Sequence, residues 1–176
     1  VKFNQPLNSW NVSNVTDMTT MFSGATSFNQ PLNNWNVGNV TKMTWMFRDA
    51  SSFNQPLNNW NTSSVTNMNN MFYGATSFNQ LLNNWNVSNV TNMAYMFYNA
   101  VNYNQPMDKW DISGLNLESY QWDNITYGAN NMFNNATKFN QDISKWCAPN
   151  LLTEPIDFST GSPLQESFKP KWGAEC

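Results

Sequence analysis

Side chains that commonly carry out catalysis are scarce in this chain. It has no histidine, which removes the usual general base and the commonest metal ligand. Glu118 and Asp123 are the closest pair of acids in the irregular part of the chain, and glycoside hydrolysis would need two acids facing one cleft. Asp108 and Asp111 are also close, but acids and glycines do not alternate around them as in calcium loops. We therefore expect no enzymatic activity, no metal site and no cofactor.

Residues suited to ligand binding are concentrated in the stretch "SGLNLESYQWDNITYGANN". It brings Tyr120, Trp122 and Tyr127 close in sequence to Asp123 and Asn124. Aromatic rings beside amides and carboxylates suit sugar or peptide recognition, and loops that interrupt a regular scaffold often carry binding residues. The alternative is that these aromatic residues only pack over the neighbouring part of the scaffold.

The scaffold that must position this stretch is a sequence repeat of constant length. A fixed period of about 25 residues indicates a solenoid, in which every coil contributes the same side chains to one core. The repeat is marked by an aromatic residue at 3, 28, 53, 78 and 103 and by Trp10, Trp35, Trp60, Trp85 and Trp110. A sixth coil near Phe139 is displaced by an eleven-residue insertion between Ile112 and Met132, at about 113–131.

Each coil is predicted to contain a short strand followed by a short helix. In "LNSWNV", Trp10 and Val12 would point inward and Ser9, Asn11 and Ser13 outward, by the two-residue period of a strand. In "NVTDMTTMFSGA" the apolar residues are three and four apart, as on one face of a helix. We therefore predict an α/β solenoid, similar to leucine-rich repeats, with a parallel β-sheet on one face, short helices on the other, and about six coils.

The outward residues of the predicted strands form a second candidate binding surface. Neighbouring strands of a sheet lie about 4.8 Å apart, so equivalent residues would form a row of amides able to bind a hydroxyl-rich or extended partner. The same row could instead be an ordinary solvated face. The row consists of Asn36, Asn61, Asn86 and Asp111.

The repeat motif "FNQPLNNWNVSNVT.M..MF.GATSF" closely resembles that of the BspA-like leucine-rich-repeat surface proteins. The resemblance covers residues 1–146 and about ten positions in each of five coils. It implies a secreted or cell-surface protein whose role is adhesion or ligand binding, and it provides no catalytic residues to carry over.

Composition excludes some partners. Only 11% of the 176 residues are charged and the net charge is −3, whereas nucleic-acid binding requires a basic surface. The apolar runs are far shorter than the roughly 18 residues that cross a bilayer, so we expect no membrane insertion. Asparagine is the commonest residue of the chain, so neutral amides should supply most of its polar surface.

The two ends of the chain differ. Residues 1–146 carry the repeats, whereas 147–176 form a capping tail with the two cysteines, Cys147 and Cys176. We predict that they form a disulfide, the alternative being two free thiols, and a disulfide implies an oxidising compartment. At the other end, Phe3 and Trp10 would leave an apolar surface, so either further coils precede it or it docks onto a partner or a second copy.

Taken together, these features predict a secreted or cell-surface protein that binds a glycan or another surface protein through the sheet face and the insertion. The alternative is a structural subunit of an extracellular filament or surface layer.

Overall fold

The computed structural model describes residues 2–116 and 128–174. We call residues 3–27, 28–52, 53–77, 78–102 and 103–138 repeats 1 to 5, and repeat 6 begins at Phe139. Each repeat is a series of tight turns closed by hydrogen bonds from one residue to the third residue before it. In repeat 2 the N–H of Trp35 donates to the carbonyl of Leu32 at 3.1 Å, and that of Val40 to the carbonyl of Val37 at 2.9 Å. The sequence period is therefore also the period of the backbone.

Regular secondary structure is almost absent from the described residues. Their one helix is a 3₁₀ helix at Glu166–Phe168. Their only β pairing consists of isolated parallel bridges that join Asp17 to Lys42, Lys42 to Asn67, and Asn67 to Asn92. The prediction of an α/β solenoid with a parallel β-sheet and short helices is therefore wrong.

The predicted helix does not form because a residue in its middle has a left-handed backbone, which interrupts a right-handed helix. We call this the first left-handed position, and φ there lies between 57° and 60° in five repeats. The apolar spacing of three and four residues fits consecutive tight turns as well as it fits a helix. The position is occupied by Thr20, Trp45, Asn70, Tyr95 and Asn131.

Backbone hydrogen bonds in this segment run between repeats. The N–H groups of Met18 and Phe22 donate to the carbonyls of Lys42 and Met46, at 2.9 and 2.8 Å. The same bonds recur from repeat to repeat, for example from Met43 to Asn67 at 3.0 Å. Because each bond joins equivalent parts of neighbouring repeats, the repeats stack in register.

The predicted strand does not form because asparagine side chains replace the backbone pairing that a sheet would use. The N–H of Asn34 donates to Oδ1 of Asn8 at 3.0 Å, and that of Lys109 donates to Oδ1 of Asn83 at 3.1 Å. Of the two side chains predicted to point inward in repeat 1, Val12 is buried but Trp10 is exposed, whereas in repeat 2 the equivalent Trp35 is buried and its neighbour Asn34 is exposed.

Columns of aromatic side chains form the core. Trp35 and Trp60 stack with their ring centroids 6.5 Å apart, and Phe28 and Phe53 stack at 5.9 Å. Five tryptophans of the column are at most 3% exposed, whereas Trp10 in repeat 1 is 55% exposed. The predicted interior column is confirmed for Trp35, Trp60, Trp85, Trp110 and Trp146.

A column of asparagines accompanies the aromatic column. Oδ1 of Asn54 accepts hydrogen bonds from the N–H of Asn79 and from Nε2 of Gln80, each at 3.0 Å. These asparagines therefore brace the neighbouring repeat, and Asn140 in repeat 6 accepts from the N–H of Gln165 at 3.2 Å in the same way.

The C-terminal residues continue this pattern of contacts. The N–H groups of Asn131 and Phe133 donate to the carbonyls of Ile156 and Phe158, at 2.9 and 2.7 Å, as earlier repeats do to the repeat that follows them. Cys147 is half-buried, and Cys176 lies outside the described residues, so their pairing stays a prediction.

Candidate functional site

The asparagine row predicted as a binding surface is exposed, but its oxygens take part in local turns. Oδ1 of Asn61 accepts from the N–H of Ser63 at 3.2 Å and from its hydroxyl at 2.8 Å. Equivalent bonds to the N–H two residues ahead are made by Asn36, Asn86 and Asp111. Those acceptors already have donors, and the row does not lie on a sheet.

The other four residues nominated for binding, Tyr120, Trp122, Asp123 and Tyr127, lie outside the described residues. The chain around them is anchored to repeat 4. The N–H of Asn116 donates to the carbonyl of Thr91 at 3.4 Å, and the N–H of Met93 donates to the carbonyl of Gly128 at 2.8 Å. The described residues on either side of 117–127 therefore lie beside Asn92.

An open groove of about 590 Å³ runs across repeats 1 to 4 and includes Asn92. It follows the line of isolated bridges, so each repeat contributes equivalent positions to it. Three kinds of side chain line it: a charged pair at one end, a set of amides and threonines, and aromatic rings. These are Asp17 and Lys42; Thr19, Thr44, Asn67, Asn69, Asn70 and Asn92; and Trp45, Tyr73 and Tyr95.

The aromatic residues of the groove belong to a continuous ladder of contacts. The guanidinium carbon of Arg48 lies 5.1 Å from the ring centroids of both Trp45 and Tyr73, within the range of cation–π attraction. Tyr73 stacks on Tyr98 at 4.7 Å, and Tyr98 meets Tyr95 at 5.8 Å with an interplanar angle of 50°. We call these five residues the aromatic ladder.

Charges near the groove are balanced. Nε of Arg48 lies 3.4 Å from Oδ2 of Asp49, an ion pair without hydrogen-bond geometry. Bonds from the hydroxyl and the N–H of Thr19, the latter at 2.8 Å, lower the pKa of Asp17, and Lys42 lowers it further. With two acids and two bases, the groove and its border have no net charge at neutral pH.

The environment of Tyr73 keeps its hydroxyl protonated. Partial burial raises the pKa of Tyr73, and the neighbouring Tyr98 and Asp49 raise it further. A neutral phenol can both donate and accept a hydrogen bond. The groove therefore combines aromatic surface with uncharged polar groups.

Sequence reasoning missed this groove because it searched for what the repeats share. The ladder occupies positions at which the repeats differ: where repeat 2 has Trp45 and repeat 4 has Tyr95, repeat 3 has Asn70. Similarly, Tyr73 stands where repeat 1 has Ser23. Departure from the repeat was the signal that could have found the site.

We also searched the described residues for a metal site, a membrane-spanning helix and a second cavity. No group of three or more acids or cysteines is placed there to hold a metal ion. None of the helices in 2–116 and 128–174 has the length and apolar character to cross a membrane. A second hollow of about 530 Å³ lies in the C-terminal part, where Nζ of Lys169 contacts Glu154 at 2.7 Å and Glu166 at 2.6 Å.

Comparison with known proteins assigns the chain to a family. The family model described as "Mycoplasma protein of unknown function, DUF285" matches residues 1–62, 35–128 and 56–166. No curated protein matches the chain. No solved structure matches it either. Because the three overlapping matches extend over nearly all of the repeats, the chain belongs to the DUF285 family of repeat proteins.

Proposed function

We propose that the chain is a binding protein without catalytic activity that recognises a glycan through the groove of repeats 1 to 4. The observation that carries the proposal is the aromatic ladder, whose Trp45 is 38% exposed beside a set of uncharged amides. Aromatic faces cover the apolar faces of sugar rings, and amides exchange hydrogen bonds with sugar hydroxyls. Each such bond contributes only about 0.5–1.5 kcal/mol, so an extended set is needed.

The same proposal includes a location at the cell surface or outside the cell. The resemblance of the repeat motif to BspA-like surface proteins supports it, and so does the predicted disulfide between Cys147 and Cys176. Neither nucleic acid nor the membrane interior is a proposed partner. The acidic net charge of −3 disfavours nucleic acid, and the lack of histidine disfavours catalysis.

A glycan array tests this function. The whole chain should bind at least one immobilised glycan, and Tyr73→Ser, which introduces the residue of repeat 1, should weaken that binding. Asn59→Ser is the matched control, because it also introduces the residue of repeat 1 at an exposed position outside the groove. No binding to any glycan, or equal binding by both variants and the wild type, would refute the proposal.

A structural subunit is the second candidate, and the exposed apolar side chains of repeat 1 favour it. Phe3, Trp10 and Met21 are 36%, 55% and 39% exposed around a hollow of about 280 Å³. The proposed occupant is a second copy of the chain. Sedimentation velocity should then show association that increases with concentration and is lost in Trp10→Asn, whereas a monomer at every concentration would exclude this role.

A further inference from the structure

We infer, on the basis of the proposed glycan-binding function, that the ligand is a neutral, linear polysaccharide that lies along the stacking direction. Its sugar rings would be held by Trp45 and Tyr95. Backbone conformation, ring contacts, spacing and charge each support this ligand class.

The backbone of Trp45 and Tyr95 carries a conformational cost. Both have φ of 58°, and bulky side chains rarely adopt this left-handed conformation. Repeats 3 and 5 place Asn70 and Asn131 at the same position, and asparagine tolerates it well. Neither aromatic residue is buried in the core. Strained aromatic residues that the core does not require are expected where they contact a ligand.

Ring contacts within the ladder leave its two ends available. The ring of Tyr73 is contacted both by Arg48 and by Tyr98. Trp45 is covered by Arg48, and no second ring or cation lies over it among the described residues. Tyr95 meets Tyr98 at an angle, so its faces are not stacked against that ring. Within 2–116 and 128–174, therefore, neither end ring is covered on both faces by a ring or a cation, so each can offer a face to a sugar.

Spacing along the stack indicates an extended ligand. Trp45 and Tyr95 are two repeats apart, which corresponds to roughly 10 Å at the usual distance between neighbouring strands. Asn70 lies between them and lines the same groove. A chain long enough to contact both rings would thus pass an amide able to bind its hydroxyls.

Charge favours a neutral ligand over an acidic one. Lys42 and Asp17 line the groove with opposite charges, and Arg48 is paired with Asp49. These four residues together carry no net positive charge that would favour a ligand carboxylate or sulfate. Affinity should come from stacking and neutral hydrogen bonds, which salt screens little.

The experiment measures affinity by calorimetry for two neutral series, cello-oligosaccharides and chito-oligosaccharides, from the monosaccharide upward. An acidic series of oligogalacturonates and an aromatic peptide represent the two alternative classes of ligand. Variants are Trp45→Asn and Tyr95→Asn, each matched by Thr20→Asn, which makes the same replacement at the same left-handed position outside the groove. Melting temperature is recorded for each variant.

The inference predicts that affinity for one neutral series rises with length until the ligand spans roughly 10 Å, and is insensitive to salt. The variants Trp45→Asn and Tyr95→Asn should each lower the affinity for that series about tenfold without lowering the melting temperature. The control Thr20→Asn should leave the affinity unchanged. Binding restricted to acidic glycans or to the peptide, or independent of ligand length, would overturn the inference. If binding is restricted to acidic glycans or is independent of length, the glycan array would still be positive and the proposed function would stand. If the chain also binds no glycan on the array, both the inference and the proposed function are rejected.

Discussion

The indole Nε1 of Trp60 donates a hydrogen bond to the backbone carbonyl of Leu32, 3.1 Å away in the preceding repeat. Equivalent bonds of 2.7–2.9 Å recur in four other repeats, from Trp35, Trp85, Trp110 and Trp146. Each tryptophan therefore fills the core and also donates a second hydrogen bond to a carbonyl that already closes a tight turn, as the Leu32 carbonyl does with the N–H of Trp35. This double role explains why the repeat uses tryptophan where other apolar residues would also fill the space.

Trp60→Phe should lower the free energy of unfolding by about 2–3 kcal/mol, because it removes buried volume and leaves the Leu32 carbonyl with the N–H of Trp35 as its one remaining donor. Urea unfolding followed by circular dichroism measures the change. The matched control is Trp10→Phe, in which the replaced side chain is 55% exposed. Equal losses in the two variants would show that the buried hydrogen bond is unimportant.

Asn54→Ala should destabilise the stack by about 1–3 kcal/mol, because the N–H of Asn79 and Nε2 of Gln80 lose their common acceptor. Asn59→Ala removes an exposed side chain of the same type and should change stability little. Hydrogen exchange of the Asn79 amide provides a local readout. Unchanged protection of that amide in Asn54→Ala would contradict the bracing role of the column.

Tyr103 stands where the five other repeats have Phe3, Phe28, Phe53, Phe78 and Phe139, and its buried hydroxyl has no hydrogen-bond partner among the described residues. Tyr103→Phe should therefore raise the free energy of unfolding by about 1–2 kcal/mol at neutral pH. The reverse change, Phe78→Tyr, should lower it by a similar amount. A loss of stability in Tyr103→Phe would mean that the hydroxyl has a stabilising partner.

The buried hydroxyl of Tyr103 should also make the free energy of unfolding fall at alkaline pH. Burial raises the pKa of Tyr103 far above its value of about 10 in the unfolded chain. Above pH 10 the unfolded state therefore loses a proton that the folded state retains, so stability falls by up to about 1.4 kcal/mol per pH unit. Tyr103→Phe lacks this titrating hydroxyl. Its free energy of unfolding should therefore exceed that of the wild type by a margin that widens between pH 9 and pH 11 in urea titrations. A constant difference across that range would indicate a normally titrating hydroxyl.

Stacking in register could be predicted because identical side chains recur at one interval. Phe28, Trp35 and Asn29 each have an equivalent in the next repeat, and only neighbouring repeats can pack or bond all of them at once. Secondary structure could not be predicted, since apolar residues three and four apart fit both a helix and consecutive tight turns. Trp45 carries no sequence signal of its left-handed backbone, whereas Gly24 and Gly74 have the positive φ that glycine adopts readily.

Reduction of the predicted disulfide should destabilise the C-terminal part of the chain. Joining Cys147 to Cys176 would close a loop of about 30 residues, worth roughly 3–4 kcal/mol in the chain-entropy model. Thermal unfolding with and without dithiothreitol measures the effect, and the double variant Cys147→Ser, Cys176→Ser should match the reduced protein and not respond to the reductant. Because Lys169 holds the same region through Glu154 and Glu166, the reduced protein should still fold. Identical melting of the oxidised and reduced wild type would show that the two thiols are not joined.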